Sequence, residues 1–204
     1  MITIGLIIKK SYGGVGIVRR FICLVIVINF LLIFMPGKSY CYADGSKLEL
    51  DWDYFTPFTS NRDIDTVSLH ILEKISEKNN KSVYRGITIT RPYGSIDYKQ
   101  QNQDSSAVGI GPVYMIRKEK ELSGKLSAAF DMSGGFILYD KTFPAGGRHY
   151  NFMWRVGPQF IYKISENSSA NIGYMLMHVS NGGVGGHNPS YNAHGVSLGF
   201  VTNF

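Results

Sequence analysis

Hydrophobic and polar residues alternate strictly over much of the chain after residue 44. The clearest run extends from Tyr150 to Ile164, where every second residue is aromatic or otherwise apolar and most residues between them are polar or small. The same alternation recurs over 108–117 and 126–138. A period of two is typical of strands with one apolar face, and no long run has the spacing of an amphipathic helix. The pattern therefore predicts an all-β domain.

The alternating runs and the polar or glycine-rich turns between them predict eight strands. The last run ends in Phe204, and a final strand that ends in Phe is common in bacterial outer-membrane proteins. Eight strands of about ten residues or more are enough for the smallest closed membrane barrel. We therefore predict an eight-stranded antiparallel transmembrane β-barrel of the outer membrane, with strands near 46–56, 65–75, 82–93, 106–118, 124–140, 149–164, 169–180 and 192–204.

A soluble β-sandwich would also alternate, but there the apolar face forms the core. Two observations favour the membrane barrel: the apolar face is rich in aromatic residues, and the opposite face carries small and charged residues that suit a narrow polar lumen. Arg155 lies on that second face, and we expect it to pair with a carboxylate such as Asp131. His70 and His149 are expected at the surface or in the lumen.

The N-terminal segment has the form of a secretion signal. Four basic residues and no acidic residue lie in 1–20, an apolar run covers 21–35, and Cys41-Tyr42-Ala43 resembles a signal-peptidase site. Fifteen apolar residues are short for a membrane-spanning helix. We predict a signal peptide at 1–43, cleaved after Ala43, and a barrel domain at 44–204. An uncleaved anchor is the alternative, whereas the residues before Cys41 do not suit a lipoprotein signal.

Removal of this segment changes what charge and cysteines imply. The chain has 204 residues and a net charge of +6, but five of its 21 basic residues precede Asp44 and all 15 acidic residues lie at or after it. The mature domain is therefore nearly neutral, and its charge gives no reason to expect nucleic acid as a partner. Cys23 and Cys41 also precede Asp44, so the mature domain has no disulfide and no cysteine metal ligand.

Candidate chemistry lies near the C-terminus, in His178-Val179-Ser180-Asn181-Gly182-Gly183. His178 and Ser180 share the parity of Ile172, Tyr174 and Leu176, so a strand places a base and a nucleophile on its apolar face. Both termini of an even-stranded barrel lie in the periplasm, which makes the turn after Ser180 extracellular. A base and a nucleophile that face lipid at the outer rim indicate a lipid substrate, and in that leaflet the lipid is lipopolysaccharide.

This motif, followed by Asn188-Pro189-Ser190-Tyr191-Asn192 and the last strand, resembles the PagL-type outer-membrane lipid A 3-O-deacylases. A weaker likeness extends through Asn151-Phe152, Gly157 and Gly111-Pro112-Val113. The resemblance implies that Ser180 is a nucleophile toward an acyl ester and that His178 is the general base and then the general acid. The backbone of Asn181, Gly182 and Gly183 would then form the oxyanion hole.

The third member of the site departs from the family pattern. The pattern has an acidic or amide residue here, and a deacylase that matches it well has Glu where this chain has Asn192; Ser190 replaces the usual Gly. An amide can accept a hydrogen bond from the imidazole and set its tautomer, but it cannot neutralise the imidazolium. His194 has the same parity as Asn192 and is the second candidate for this position.

The sequence therefore predicts an outer-membrane serine esterase that removes an ester-linked 3-hydroxyacyl chain from lipid A. We expect no cofactor and no metal, since neither a cysteine nor a flanking carboxylate supports a metal site at His178, His187 and His194. Two alternatives remain: a non-enzymatic small barrel with a decayed site, which Asn192 favours, and an esterase or phospholipase for another outer-leaflet lipid. The sequence leaves a homodimer open, with a second barrel sharing or covering the site.

Overall fold

A computed structural model describes residues 47–58, 62–184 and 186–203. The predicted signal peptide, its cleavage site and Phe204 lie outside these residues. Among the described residues there is no helix long and apolar enough to span a membrane. All regular structure is β, in nine strands: β1 (Lys47–Pro57), β2 (Arg62–Lys78), β3 (Lys81–Tyr98), β4 (Gln101–Asp104), β5 (Gly109–Ser123), β6 (Leu126–Phe143), β7 (Arg148–Lys163), β8 (Ser168–Ser180) and β9 (Tyr191–Asn203).

Eight of these strands form a closed antiparallel ring. Each pairs with its neighbours in chain order, β9 pairs with β1, and the β2–β3 pairing completes the circle. The short β4 pairs only with β3 and extends that strand as a hairpin. The predicted eight-stranded barrel is therefore confirmed, whereas β4 was not predicted because Gln101–Asp104 contains no apolar residue.

Turn length differs between the two ends of the barrel. At the end that holds Lys47 and Asn203, β2 and β3 are joined by Asn79 and Asn80 alone, both with positive φ, as a two-residue hairpin of the favoured handedness requires. The long β3–β5 and β8–β9 connections lie at the opposite end. Short periplasmic turns and long extracellular loops are typical of outer-membrane barrels, so we call these the periplasmic and extracellular ends.

The exterior of the ring is apolar, as the alternation predicted. Large hydrophobic side chains are exposed around the barrel wall, and their neighbours along each strand are buried. Examples from five strands are Trp52, Ile89, Met132, Phe160 and Leu198, each more than two fifths exposed. An apolar exterior on a closed ring is the arrangement of a transmembrane barrel. The protein is thus an outer-membrane-type β-barrel.

The interior is apolar near the extracellular end, whereas its middle and periplasmic parts hold buried polar groups beside a small apolar cluster of Leu72, Tyr84, Val113 and Met115. On β1, the inward residues are Glu49, Asp51, Asp53 and then Phe55, all fully or almost fully buried. Phe55 belongs to a buried apolar cluster with residues of the extracellular half of the barrel, including Ile137, Met153, Met175, Met177 and Tyr191. The expected polar lumen is therefore only part of the interior, because the barrel is narrow enough for side chains to fill it.

Arg155 pairs with a buried carboxylate, as expected, but the carboxylate is Asp53 and not Asp131. Arg117 donates to Asp131 at 2.8 and 2.7 Å and to Glu49 at 2.9 and 2.7 Å. Arg155 instead bonds to Asp53, which also contacts His70 at 3.0 Å. The reason is register: Arg117 lies opposite Asp131 across β5 and β6, whereas Arg155 lies opposite Ser133, two residues farther along.

Candidate active site

His178 lies on the outer face of β8, two residues before the strand ends at the extracellular rim. Its chain neighbours Met177 and Val179 are each only 1% exposed and point into the barrel, whereas His178 is half-buried on the outside. Strand register places Trp154 of β7 directly opposite on one side and Asn192 of β9 on the other. Side chains of directly paired residues share a face, so these three groups form one outward row.

Asn192 holds the imidazole of His178 by a hydrogen bond. The distance between His178 Nδ1 and Asn192 Oδ1 is 2.7 Å. An amide oxygen can only accept, so the proton of this bond is on Nδ1 and the second ring nitrogen, Nε2, has a free lone pair. This is the tautomer in which an imidazole can remove a proton from a hydroxyl group.

The indole of Trp154 covers the other side of the imidazole. The two ring centroids are 5.6 Å apart and the planes are inclined by 26°, which is a stacked arrangement. A tryptophan face attracts a cation through its π electrons, so the indole is placed where it would interact with positive charge on this ring. Trp154 lies on the apolar face of the alternating run 150–164, and that alternation does not show that it meets His178. In an antiparallel hairpin the residue numbers of paired residues have a constant sum, so the position of the turn decides which residues pair. Correct placement of the β7–β8 turn in the sequence would therefore have predicted that Trp154 pairs with His178.

Ser180 is the last residue of β8 and is half-buried on the same outer face. It lies opposite Phe152 of β7. Within the described part of the chain, no hydrogen bond joins Ser180 to His178. Residues i and i+2 of a strand are about 6.5 Å apart at their Cα atoms, so the two side chains have to turn toward each other to meet. Catalytic hydrogen bonds in ligand-free proteins are often formed only when substrate binds.

The loop after Ser180 is organised around Asn181, which is fully buried. Its backbone N–H donates to Asn188 Oδ1 at 3.0 Å, and its side-chain amide donates to the carbonyl of His187 at 2.9 Å. The N–H of Gly183 donates to Asn181 Oδ1 at 2.9 Å. Two of the three predicted oxyanion-hole amides are therefore bonded within the loop, and they would have to exchange these bonds for a substrate oxygen.

Positive φ angles at Gly182 and Gly183 explain why glycines follow Asn181. Their φ values are 66° and 73°, in the left-handed region that favours glycine. Gly182 is exposed at the surface of the loop, next to Ser180 in the chain. The loop is further held to the barrel by the hydroxyl of Tyr150, which donates to the carbonyl of Val184 at 3.3 Å.

His194, the second candidate for the third position, belongs to a separate group of side chains. It lies opposite Leu176, one pleat below His178 on the outer face. Its Nδ1 is 2.7 Å from the hydroxyl of Tyr174, and its ring lies 4.6 Å from that of Phe58. The structure therefore brings Asn192, and not His194, to His178.

No group of three or more His, Cys, Asp or Glu side chains among the described residues is placed to hold a metal ion. What the outward row offers is acid–base chemistry by one oriented imidazole, with a hydroxyl group two residues away. The row faces the apolar exterior of the barrel near its extracellular rim.

Comparison with known proteins identifies the family. A family model described as lipid A 3-O-deacylase (PagL) matches residues 49–201. Among 18 matching chains of solved structures, the outer membrane enzyme PagL is 12% identical, with a TM-score of 0.45 over 78% of this chain and 99% of that chain. Neisserial surface protein A (NspA) is 10% identical, with a TM-score of 0.48 over 78% of this chain and 96% of that chain. No curated protein sequence matches significantly. Because the family model covers most of the barrel domain, the chain belongs to the PagL family of lipid A 3-O-deacylases.

Proposed function

We propose that this protein is an outer-membrane esterase that hydrolyses an ester-linked 3-hydroxyacyl chain of lipid A, with Ser180 as nucleophile and His178 as general base. The observation that carries the proposal is the bond between His178 Nδ1 and Asn192 Oδ1, which leaves Nε2 ready to accept a proton on the face that Ser180 shares. Family membership supplies the substrate class.

In the first half of the reaction, Ser180 Oγ attacks the carbonyl carbon of the acyl ester while His178 Nε2 takes the hydroxyl proton. The negative charge moves to the carbonyl oxygen, where N–H groups of the 181–183 loop would stabilise it. The tetrahedral intermediate collapses, the bond to the sugar oxygen breaks, and His178 gives its proton to that oxygen. The products of this half are a free sugar hydroxyl and an acyl-serine.

In the second half, water replaces the sugar oxygen. His178 removes a proton from the water as it attacks the acyl-serine, and the second intermediate collapses with return of that proton to Ser180 Oγ. A 3-hydroxy fatty acid is released, and neither step requires a redox partner or a metal. Asn192 would hold the Nδ1–H tautomer throughout, and Trp154 would stabilise the transient imidazolium.

The position of the row suits a substrate that stays in the membrane. Acyl chains of a lipid lie along the barrel wall, where the exposed Leu176 and the half-buried Phe152 flank the site. The ester bonds of lipid A lie where its acyl chains join the sugar headgroup, and we place that boundary at the extracellular rim near Ser180. We further propose that residues 1–43 are a signal peptide, removed after Ala43 when the protein is exported.

The test is mass spectrometry of lipid A from cells that express the wild type, Ser180→Ala or Ser169→Ala. Ser169 lies at the periplasmic end of the same strand, so it controls for a serine-to-alanine change in β8. All three proteins must first be shown to be folded in the outer membrane by their heat-modifiable mobility on gels. Loss of one 3-hydroxyacyl mass with the wild type and Ser169→Ala, but not with Ser180→Ala, is the expected result.

The main alternative is a non-enzymatic barrel, which the replacement of Glu by Asn192 favours. It predicts unchanged lipid A with all three proteins. An esterase for another outer-leaflet lipid predicts unchanged lipid A together with Ser180-dependent release of a different fatty acid, which lipid extracts of the same cells would reveal.

A further inference from the structure

The buried interior of the barrel holds more negative than positive groups. Among the buried residues that the structure describes there, four are carboxylates, two are guanidiniums and one is an imidazole: Glu49, Asp51, Asp53, Asp131, Arg117, Arg155 and His70. Arg117 bonds to two of the carboxylates, and Arg155 and His70 contact a third. Asp51 contacts none of these cations. Its described neighbour is the side-chain amide of Asn171, at 3.4 Å.

Unpartnered oxygen atoms lie in the same region. Five buried side-chain oxygens have no well-formed hydrogen bond among the described residues: Asp51 Oδ2, Asp53 Oδ1, Gln159 Oε1, Asn171 Oδ1 and Ser197 Oγ. Asp53 and Ser197 lie close enough to interact with each other, and each of the five residues is at most 4% exposed. Buried polar atoms are nearly always hydrogen-bonded, so this group of oxygens indicates that something occupies the space between them.

Strand register places these five residues, here called the lumen oxygen cluster, in two adjacent rungs, where a rung is a row of directly paired residues that crosses β1, β9, β8 and β7. In one rung, Asp51 pairs with Gly199, which pairs with Asn171. In the next rung, Asp53 pairs with Ser197, Ser197 with Gly173, and Gly173 with Gln159.

Each rung contains one glycine, and the polar side chains lean over it. A Cβ atom at Gly199 would collide with side-chain atoms of Asp51 and Asn171, and one at Gly173 with the amide of Gln159. Glycine at these two positions therefore leaves room for the polar side chains of Asp51, Asn171 and Gln159.

We propose that the lumen oxygen cluster binds one monovalent cation of the size of Na⁺. Carboxylate, amide and hydroxyl oxygens are ligands for hard cations. A single positive charge matches the one carboxylate, Asp51, that no arginine or histidine contacts. Asp53 can share the ion through Oδ1, because its other oxygen, Oδ2, bonds to Arg155 and His70.

A cavity of about 280 Å³ lies at the periplasmic end of the barrel, and its lining includes Arg117 and Tyr84. Arg117 bonds to Glu49, whose Oε1 accepts a hydrogen bond from Asn171 at 2.8 Å. The cavity is therefore separated from the cluster by the buried side chains of Arg117 and Glu49, and an ion that enters from this end has to pass them. Apolar residues fill the extracellular half.

The test is unfolding of the purified, folded protein in zwitterionic micelles at constant ionic strength. Na⁺ is replaced stepwise by N-methylglucamine, a cation too large to enter the cluster. An ion that binds only the folded state raises the unfolding midpoint with concentration until the site saturates. The wild type should show this rise, and Asp51→Asn should lower the Na⁺ affinity at least tenfold while unfolding at a higher midpoint than the wild type in N-methylglucamine.

Ser197→Ala and Ser68→Ala form the matched pair. Both serines lie opposite Asp53, on β9 and β2 respectively, but Ser68 Oγ already donates to Thr90 at 2.9 Å and is not part of the cluster. Ser197→Ala should weaken the Na⁺ dependence and Ser68→Ala should keep it. Broadening of the ²³Na NMR line by the folded protein gives the same comparison without unfolding.

A wild-type midpoint that is equal in both salts would overturn the proposal and leave ordered water as the occupant. So would an Na⁺ dependence that persists unchanged in Asp51→Asn and Ser197→Ala. If Asp51→Asn does not fold, the serine pair and the ²³Na signal decide the question.

Discussion

Replacement of Asn192 by Asp should raise the activity of this enzyme. The change keeps the side-chain shape and the oxygen that lies 2.7 Å from His178 Nδ1, and adds a negative charge beside the imidazole. In the proposed mechanism that charge would stabilise the imidazolium of both transition states, which the neutral amide cannot do.

The structure sets the size of the effect. With about 4 Å between the charge centres, two unit charges attract by about 4 kcal/mol at an effective dielectric constant near 20. Asn192 is exposed, so screening by solvent and ions reduces this to about 1–2 kcal/mol. Since each 1.4 kcal/mol is a factor of ten, kcat/KM should rise about 5- to 30-fold. Asn192→Leu loses one neutral hydrogen bond, about 0.5–1.5 kcal/mol, and should lower kcat/KM about 2- to 10-fold.

The assay is the initial rate of 3-hydroxy fatty acid release from purified lipopolysaccharide in mixed micelles, measured by liquid chromatography with mass spectrometry. Asn203→Asp is the matched control, since it makes the same change at the periplasmic end of β9 and should leave the rate unchanged. Folded Asn192→Asp and Asn192→Leu proteins that both retain the wild-type rate would refute the argument, because residue 192 would then not orient the imidazole.

Three further substitutions test other parts of the structure. Trp154→Leu removes the stacked ring and should lower kcat/KM about 2- to 5-fold, because it removes about 0.5–1 kcal/mol of cation–π energy. Trp154→Phe keeps an aromatic ring and should lower kcat/KM less. Equal rates for the two variants would contradict this. Arg117→Leu leaves Glu49 and Asp131 buried without a cation, so the free energy of unfolding should fall by about 3–5 kcal/mol. Urea titration in micelles measures this change. An unchanged unfolding midpoint would show that these ion pairs contribute nothing to stability. His194→Ala should change kcat/KM by less than a factor of two, and a tenfold loss would return His194 to the third position.

Local pattern was enough to predict the strands of the barrel wall and the direction of their side chains. Alternation over β6 to β9 placed each strand end within three residues, and it placed His178, Ser180 and Asn192 on the outer face. β2, β3 and β5 were predicted too short, because these strands continue beyond the apolar belt into polar hairpins where alternation is weak. β4 has no apolar position at all and gave no signal.

The sequence by itself determined which face each residue occupies, since side chains alternate along a strand whatever its partners are. Only the tertiary structure decided which residues meet across strands. Register placed Asn192 and Trp154 beside His178, separated His194 from it, and placed Arg117 opposite Asp131. Arg155 meets Asp53 inside the barrel, although their strands, β7 and β1, do not pair. Ring closure brought β9 against β1 and so placed Ser197 next to Asp53. These contacts join residues that are far apart in the chain, and no periodicity within one strand contains that information.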